Sequence, residues 1–140
     1  MALMKMPTYA GGEGGSAGQV LLDEEFTTTT GKSSTDANPT IFYGDFSSAK
    51  FIYTNGQYST SSGYNQVGGC FEEIEFGVKK RYVAGVRSYN SGSFAPNNYG
   101  WRYITVYPDR VEIGSGGWAE NGAFTANNDF GVLREVKIVS

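Results

Sequence analysis

The chain has 140 residues, enough for one compact domain, and its formal charge of −3 gives no electrostatic reason to bind nucleic acid or an anionic membrane. Histidine is absent, which excludes a Ser-His-Asp triad, a Cys-His pair and histidine-ligated zinc. The 20 glycines are roughly twice the average share, and aromatic residues make up 15% of the chain. This composition disfavours helices and favours strands.

Residues 1–18 differ from the rest of the chain because they combine an apolar start with five glycines. Such a segment cannot build a core, so we expect an extended arm that docks on another chain, with folding back onto its own domain as the alternative. The predicted apolar anchors of this arm are Leu3, Met4, Met6 and Tyr9. The start has no apolar run typical of a secretory signal, and we expect a protein made in the cytoplasm without export of its own.

Residues 19–140 read as short strands separated by turns, with no segment of helical period. The predicted strands, in chain order, are Val20–Phe26, Thr40–Tyr43, Lys50–Tyr53, Gln57–Ser59, Gln66–Gly77, Tyr82–Tyr89, Trp101–Tyr107, Arg110–Ile113 and Val132–Val139. The pattern predicts an all-β domain, either a single antiparallel β-sandwich of jelly-roll-like type or a small barrel, preceded by the arm.

Turn residues mark the predicted connections between these strands. Asn55-Gly56 favours a type I′ hairpin turn, and Pro108-Asp109 a second tight hairpin. A glycine turn is expected over Gly114–Gly117, and polar loops over Ser91–Asn98 and Asn121–Asp129. Gly85 lies inside a strand pattern, which indicates a bulge or a close backbone contact.

The single cysteine and the one basic run both have plain structural interpretations. Cys70 is expected to be a small buried residue in or beside a strand, because neighbouring glutamates disfavour its thiolate. The basic residues 79–81 follow the acidic stretch Glu72–Glu75, so the two are expected to neutralise each other on a solvated face.

Carboxylates and polar loops supply the candidate catalytic and metal-binding groups. A β-sandwich glycosidase would need two convergent carboxyl groups from a set on two strand candidates, and the alternative is a solvated strand face. That set is Glu72, Glu73, Glu75, Asp109 and Glu112. Oxygen ligands for calcium occur at Asn121-Gly122 and Asn127–Asp129, but the same residues are typical of turns. We therefore assign no catalytic residue, no metal and no cofactor.

Aromatic residues in or beside polar loops form a candidate recognition surface. Sugar rings stack on flat aromatic side chains, so these residues could bind a glycan, or they could be core or subunit-interface residues. The candidates are Trp101, Trp118, Tyr99 and Phe94.

The C-terminal half has a characteristic order of elements: the stretch Gly100–Gly114 with its tight turn, a glycine-rich spacer, Asn127–Asp129 and the terminal strand Val132–Val139. This order resembles the small β-rich modules of tailed-bacteriophage virion proteins, such as tail fibres, tail-tip or baseplate proteins, head fibres and decoration proteins. The resemblance covers about residues 65–140 and carries no catalytic residue. The short chain lacks a long fibrous shaft, which favours an accessory protein attached to capsid, collar or tail.

The sequence therefore predicts a non-enzymatic structural protein of a phage virion, assembled in the host cytoplasm. Residues 1–18 would anchor it to other virion proteins or to sister copies, and residues 19–140 would stabilise the particle or contact a host-surface glycan. Homo-oligomerisation is expected, since weak contacts gain strength through multivalency. The alternative function is a carbohydrate-binding module that uses Trp101 or Trp118 as a stacking platform.

Overall fold

The computed structural model describes residues 18–26, 34–60, 65–66, 68–88 and 94–140, and the predicted anchors of residues 1–17 lie outside them. The described chain is all-β. Its strands are β1 (Val20–Glu25), β2 (Thr40–Tyr43), β3 (Phe51–Ser59), β4 (Asn65–Gln66), β5 (Gly68–Glu73), β6 (Lys80–Ser88), β7 (Phe94–Tyr107), β8 (Arg110–Glu120), β9 (Ala123–Ala126) and β10 (Phe130–Val139). No helix among these residues is long and apolar enough to cross a membrane.

The strands form two antiparallel sheets that pack face to face, which confirms the predicted β-sandwich. One sheet has four strands in the order β1-β10-β3-β5. The other has six, in the order β2-β8-β7-β6-β4 with β9 paired to β8. Strand β10 lies between β1 and β3 and is buried along most of its length, as expected for a central strand.

The core lies between the sheets because the inward side chains of each strand alternate with outward ones. In β7, Arg102, Ile104 and Val106 point inward, and all three are fully buried. The facing sheet contributes apolar side chains from three of its strands: Leu22, Ile52, Leu133, Val136 and Ile138.

Close backbone contact between the sheets is made possible by three glycines at facing positions. A side chain at Gly85 would collide with the backbone of Gln57 in the opposite sheet. Gly100 and Gly131 meet the opposite sheet in the same way. Gly85 also has φ +84°, and the β6–β7 register shifts beside it, so the predicted irregularity at this position is confirmed.

The predicted hairpin turn at Asn55-Gly56 is wrong, because β3 runs straight through it from Phe51 to Ser59. Gly56 is required there by a close contact within the sheet, because a side chain would collide with the Val132 carbonyl oxygen of the neighbouring strand β10. The Asn-Gly pair that does turn is Asn121-Gly122, with φ 49° and 86°, and it joins β8 to β9. Both residues have the positive φ that a type I′ turn needs.

Two other segments that were predicted to be turns or loops belong wholly or largely to strands. Strand β8 continues to Glu120, so the expected glycine turn at Gly114–Gly117 is wrong. Strand β7 begins at Phe94, so much of the expected loop Ser91–Asn98 belongs to a strand. In both cases the chain pairs with a neighbouring strand in spite of its turn-forming residues, because tertiary context overrides local propensity.

Cys70 lies in a strand, β5, as predicted, but it is half-buried and not fully buried. Its Sγ lies 3.3 Å from Oγ1 of the fully buried Thr54, whose hydroxyl donates to the Val83 carbonyl at 2.7 Å. Burial raises the pKa of the Cys70 thiol, which disfavours the reactive thiolate.

The two Asn-Gly glycines give a direct test of this fold. Gly56→Ala places a methyl group against the Val132 backbone, and we expect the free energy of unfolding to fall by about 3 kcal/mol. Gly122→Ala has open space around it and incurs only the left-handed backbone strain, about 1 kcal/mol. Urea unfolding followed by circular dichroism measures both. A larger loss for Gly122→Ala than for Gly56→Ala would contradict the strand assignment.

Candidate functional site

The two tryptophans lie on opposite faces of the six-stranded sheet. Trp101 pairs with Gly117 of β8, so these two residues lie on the same, outer face of the sheet. Trp118 follows Gly117 in β8 and therefore points inward. Trp101 is 1% exposed, and Trp118 is half-buried with its ring centre 4.6 Å from that of Phe130. Trp101 therefore presents no free ring face to a ligand. Of the other aromatic candidates, Tyr99 is half-buried, and the side chain of Phe94 is outside the described part of the chain.

Trp101 is covered by a cluster in which Arg81 lies over three aromatic rings. The Arg81 guanidinium carbon is 4.1 Å from the ring centre of Phe124, 5.0 Å from Trp101 and 5.2 Å from Tyr103. Each such contact at an exposed position contributes about 0.5–1 kcal/mol. The Trp101 indole N–H is buried and has no hydrogen-bond partner. Among the described residues, every other buried side-chain nitrogen or oxygen atom has one.

Arg102 points into the opposite, inner side of the sheet and is fully buried. Its guanidinium donates six hydrogen bonds of 2.6 to 3.1 Å. The acceptors are the carbonyl oxygens of Ser34, Gly114, Asn128, Phe130 and Gly131 and the side-chain Oδ1 of Asn128. Burial lowers the pKa of Arg102 to about 10, so the group stays charged at neutral pH.

Space for this guanidinium comes from the glycines of β8. A side chain at Gly116 would collide with Arg102 Nη2, and one at Gly117 would collide with the Trp101 ring. The pairing also shifts here, since Arg102 faces Gly116 whereas Ile104 faces Ile113, so β8 contains one extra residue. This β-bulge keeps both halves of β8 correctly oriented in the sheet.

The polar loop that suggested calcium binding is occupied by these internal bonds. Asn128 Oδ1 accepts from Arg102 and from the Gly116 amide, and Asn127 Oδ1 accepts from the Asp129 amide at 3.0 Å. The arginine thus takes the place that a cation would have beside Asn128. No group of three or more metal-ligating side chains occurs in the described ranges.

The candidate carboxylates are distributed over separate parts of the fold. Glu72 and Glu73 lie in β5 of the four-stranded sheet, whereas Asp109 and Glu112 lie in the β7–β8 hairpin of the other. Both hairpin carboxylates bind Arg110, at 2.8 Å and 2.7 Å. The candidate carboxylates of the two sheets are therefore not brought together as a catalytic pair.

The basic run is only partly neutralised by the acidic stretch before it. Lys80 pairs with Glu75 at 3.2 Å, as expected. Lys79 and Arg81 alternate to the outer face of the sheet, where Lys79 pairs with the distant Asp36 at 3.3 Å and Arg81 lies on the aromatic rings. Strand alternation separates the three neighbours.

A cavity of about 190 Å³ opens on this outer face of the six-stranded sheet. Six of the residues that line it have polar, charged or aromatic side chains: Asp36, Lys79, Tyr103, Thr105, Tyr107 and Glu112. Tyr103, Thr105 and Tyr107 come from alternate positions of β7, so two aromatic side chains flank a small floor residue. In an extended strand the two tyrosine Cα atoms are about 13 Å apart.

The charged residues around the cavity are held in place by paired contacts. The Asp36 amide donates to Ser115 Oγ at 2.9 Å, and the Ser115 amide donates back to Asp36 Oδ1 at 3.1 Å. Asp36 Oδ2 binds Lys79, whose Nζ is also 4.5 Å from the ring centre of Tyr103. The Arg110 guanidinium carbon lies 3.8 Å from the ring centre of Tyr107.

The alternation of Tyr103, Thr105 and Tyr107 is visible in the sequence, but their role as a cavity wall is not. Asp36 and Lys79 reach the cavity from a loop and a strand start that are 43 residues apart. No local pattern connects them, because only the packing of residues 34–39 beside β8 brings Asp36 to this face.

No protein-family model, no curated protein and no solved structure matches this chain.

Arg102 is the residue whose loss should disturb this region most. Arg102→Met keeps an unbranched buried side chain but leaves five backbone carbonyl oxygens without their donor. We expect the free energy of unfolding to fall by about 4 kcal/mol. The control is Arg134→Met, which removes an exposed arginine with one 3.3 Å hydrogen bond to Gln57 and should cost less than about 0.5 kcal/mol. Urea unfolding followed by tryptophan fluorescence compares the two, and equal losses would contradict the assigned role.

Proposed function

We propose that the chain is a non-enzymatic structural or accessory protein of a bacteriophage virion, of the capsid-decoration, head-fibre or tail-attached kind. In this proposal the glycine-rich N-terminal segment anchors the chain to other virion proteins or to sister copies. The β-sandwich then faces outward, where it stabilises the particle or contacts the host surface.

The observation that carries this proposal is the set of hydrogen bonds by which Gly18, the last residue of that segment, and Gln19 are joined to the end of the domain. The Gly18 amide donates to the Ser140 carbonyl at 2.7 Å, and the Ser140 amide donates to the Gln19 carbonyl at 2.9 Å. Gln19 N also donates to Ser140 Oγ at 3.1 Å. The chain then continues directly into β1, which pairs with the central strand β10. An anchor pulled from this point would load the edge strand β1 along its ladder with β10, and not a loose loop.

The rigidity of the domain also supports a display role. Arg102 joins the strand β7 to the segments around residues 34, 114 and 128–131 through buried hydrogen bonds. Such a network limits the movement of the connections at this end of the sandwich. A surface that must present itself in one geometry on many copies benefits from that restraint.

Carbohydrate binding is the second candidate function, and the cavity favours it more than the tryptophans do. Trp101 is covered and Trp118 packs against Phe130, whereas Tyr103 and Tyr107 line an open cavity beside carboxylates. Aromatic side chains with polar groups arranged around them are the usual components of a small-molecule site.

Deleting residues 1–17 tests the anchoring segment and keeps the Gly18–Ser140 contact. We expect the truncated chain to unfold at the same urea concentration as the full chain but to run as a monomer in size-exclusion chromatography with light scattering. The full chain is expected to run as an oligomer. A matched variant replaces Leu3, Met4, Met6 and Tyr9 by Ser in the full-length chain and should behave like the deletion. Unchanged assembly of both variants would contradict the anchoring role.

The virion location has its own test. We expect mass spectrometry of gradient-purified particles from a phage that encodes this chain to detect it at a fixed ratio to the major capsid protein. Particles assembled with the 1–17 deletion should lack it. Absence of the full chain from purified particles would overturn the proposal.

A further inference from the structure

We propose that the cavity formed by Tyr103, Thr105 and Tyr107 binds one ring of a neutral saccharide. The proposal rests on the proposed function only for the source of that saccharide, which would be a glycan of the host surface. It assigns the binding site to β7, β8 and the segment that holds Asp36, and not to Trp101 or Trp118.

Two tyrosines supply the aromatic surface of the proposed site. Saccharide rings have apolar C–H faces that pack on flat aromatic rings. Tyr103 and Tyr107 project from one face of the same strand with Thr105 between them, and both are half-buried. Contacts with Lys79 and with Arg110 restrain the two rings. Restraint before binding lowers the entropic cost of ordering them in a complex.

Thr105 supplies a polar group between the two tyrosines. Its side chain is only 6% exposed and lines the cavity, so a molecule in the cavity would contact it directly. A threonine hydroxyl both donates and accepts, so it can form a hydrogen bond with a sugar hydroxyl in either direction. Glu112, which pairs with Thr105 across the β7–β8 ladder, adds a carboxylate acceptor beside it.

The charges around the cavity indicate a neutral ligand. Asp36 is paired with Lys79, and Glu112 shares Arg110 with Asp109, so both rim cations are already engaged by carboxylates. A phosphate or carboxylate ligand would have to displace one of these carboxylates from its cation. Sugar hydroxyls can instead donate to the carboxylates and accept from the Lys79 ammonium without breaking either pair.

The size of the cavity limits how much of a glycan it can hold. At about 190 Å³ it is smaller than the range of 300–1,000 Å³ usual for sites that enclose a drug-sized ligand. It therefore suits a single ring, as at the end of a chain or in a branch. Binding by one copy would be weak, and several copies on one particle would raise the avidity.

The test begins with the labelled full chain on an array of immobilised oligosaccharides. The array carries neutral hexose and N-acetylhexosamine chains beside their sialylated and phosphorylated counterparts. We expect binding to a subset of the neutral glycans only. Titration calorimetry with the best-bound soluble oligosaccharide then compares the variants, each checked for an unchanged unfolding transition.

Three variants examine the cavity, and one serves as the control. Tyr107→Ala should weaken binding by about tenfold because it removes a stacking ring, whereas Tyr107→Phe should retain most of the affinity. Thr105→Val keeps the shape but removes the hydroxyl and should weaken binding by about fivefold. Tyr43→Ala removes a 75% exposed tyrosine outside the cavity and should change nothing.

The proposal is overturned if no neutral glycan binds, if only anionic glycans bind, or if Tyr107→Ala and Thr105→Val bind as the wild type does. An equal loss with Tyr43→Ala would also overturn it. If Tyr107→Ala destabilises the fold, Thr105→Val decides the matter alone. Because the array uses the isolated full chain and the 1–17 deletion measures assembly, failure of this site and failure of the virion assignment are separate results.

Discussion

A buried guanidinium must have all its N–H groups satisfied, and Arg102 obtains its backbone acceptors from three separate segments of the chain. Loss of hydration for such a charge costs several kcal/mol, which only well-aligned bonds offset. The bonds of 2.6 to 3.1 Å provide this, and they fix residue 34, residue 114 and the connection before β10 relative to β7. The end of the sandwich that carries these connections therefore depends on one side chain.

Many of the glycines leave room for the groups around Arg102 and for close contacts between backbones. Gly116 leaves room for the Arg102 guanidinium, Gly117 for the Trp101 ring and Gly114 for the Asp36 carboxylate. Gly131 allows its backbone to approach that of Trp101 in the opposite sheet, and Gly56 leaves room for the Val132 carbonyl oxygen of the neighbouring strand. These glycines lie inside or at the start of strands and not in turns, so each is required by a neighbouring group that a Cβ would displace.

The cavity on the outer face is connected to Arg102 through shared residues. The Gly114 carbonyl accepts from Arg102 on the inner side while Gly114 lines the cavity on the outer side. The Ser34 carbonyl is held in the same way, two residues before Asp36. The packing of the core thus determines where the carboxylate of Asp36 stands beside Tyr103. A ligand at this cavity would contact a wall that the interior has already positioned.

Periodicity and composition were sufficient for the all-β class, the terminal strand Val132–Val139 and the hairpin at Pro108-Asp109, because two-residue alternation and tight turns are local properties. Local patterns gave the wrong prediction for Asn55-Gly56 and Gly114–Gly117. The glycines there are required by close contacts with residues that are distant in the sequence. The partners of Arg102 and the pairing of Asp36 with Lys79 depend on contacts between distant segments, which exist only once the two sheets have packed.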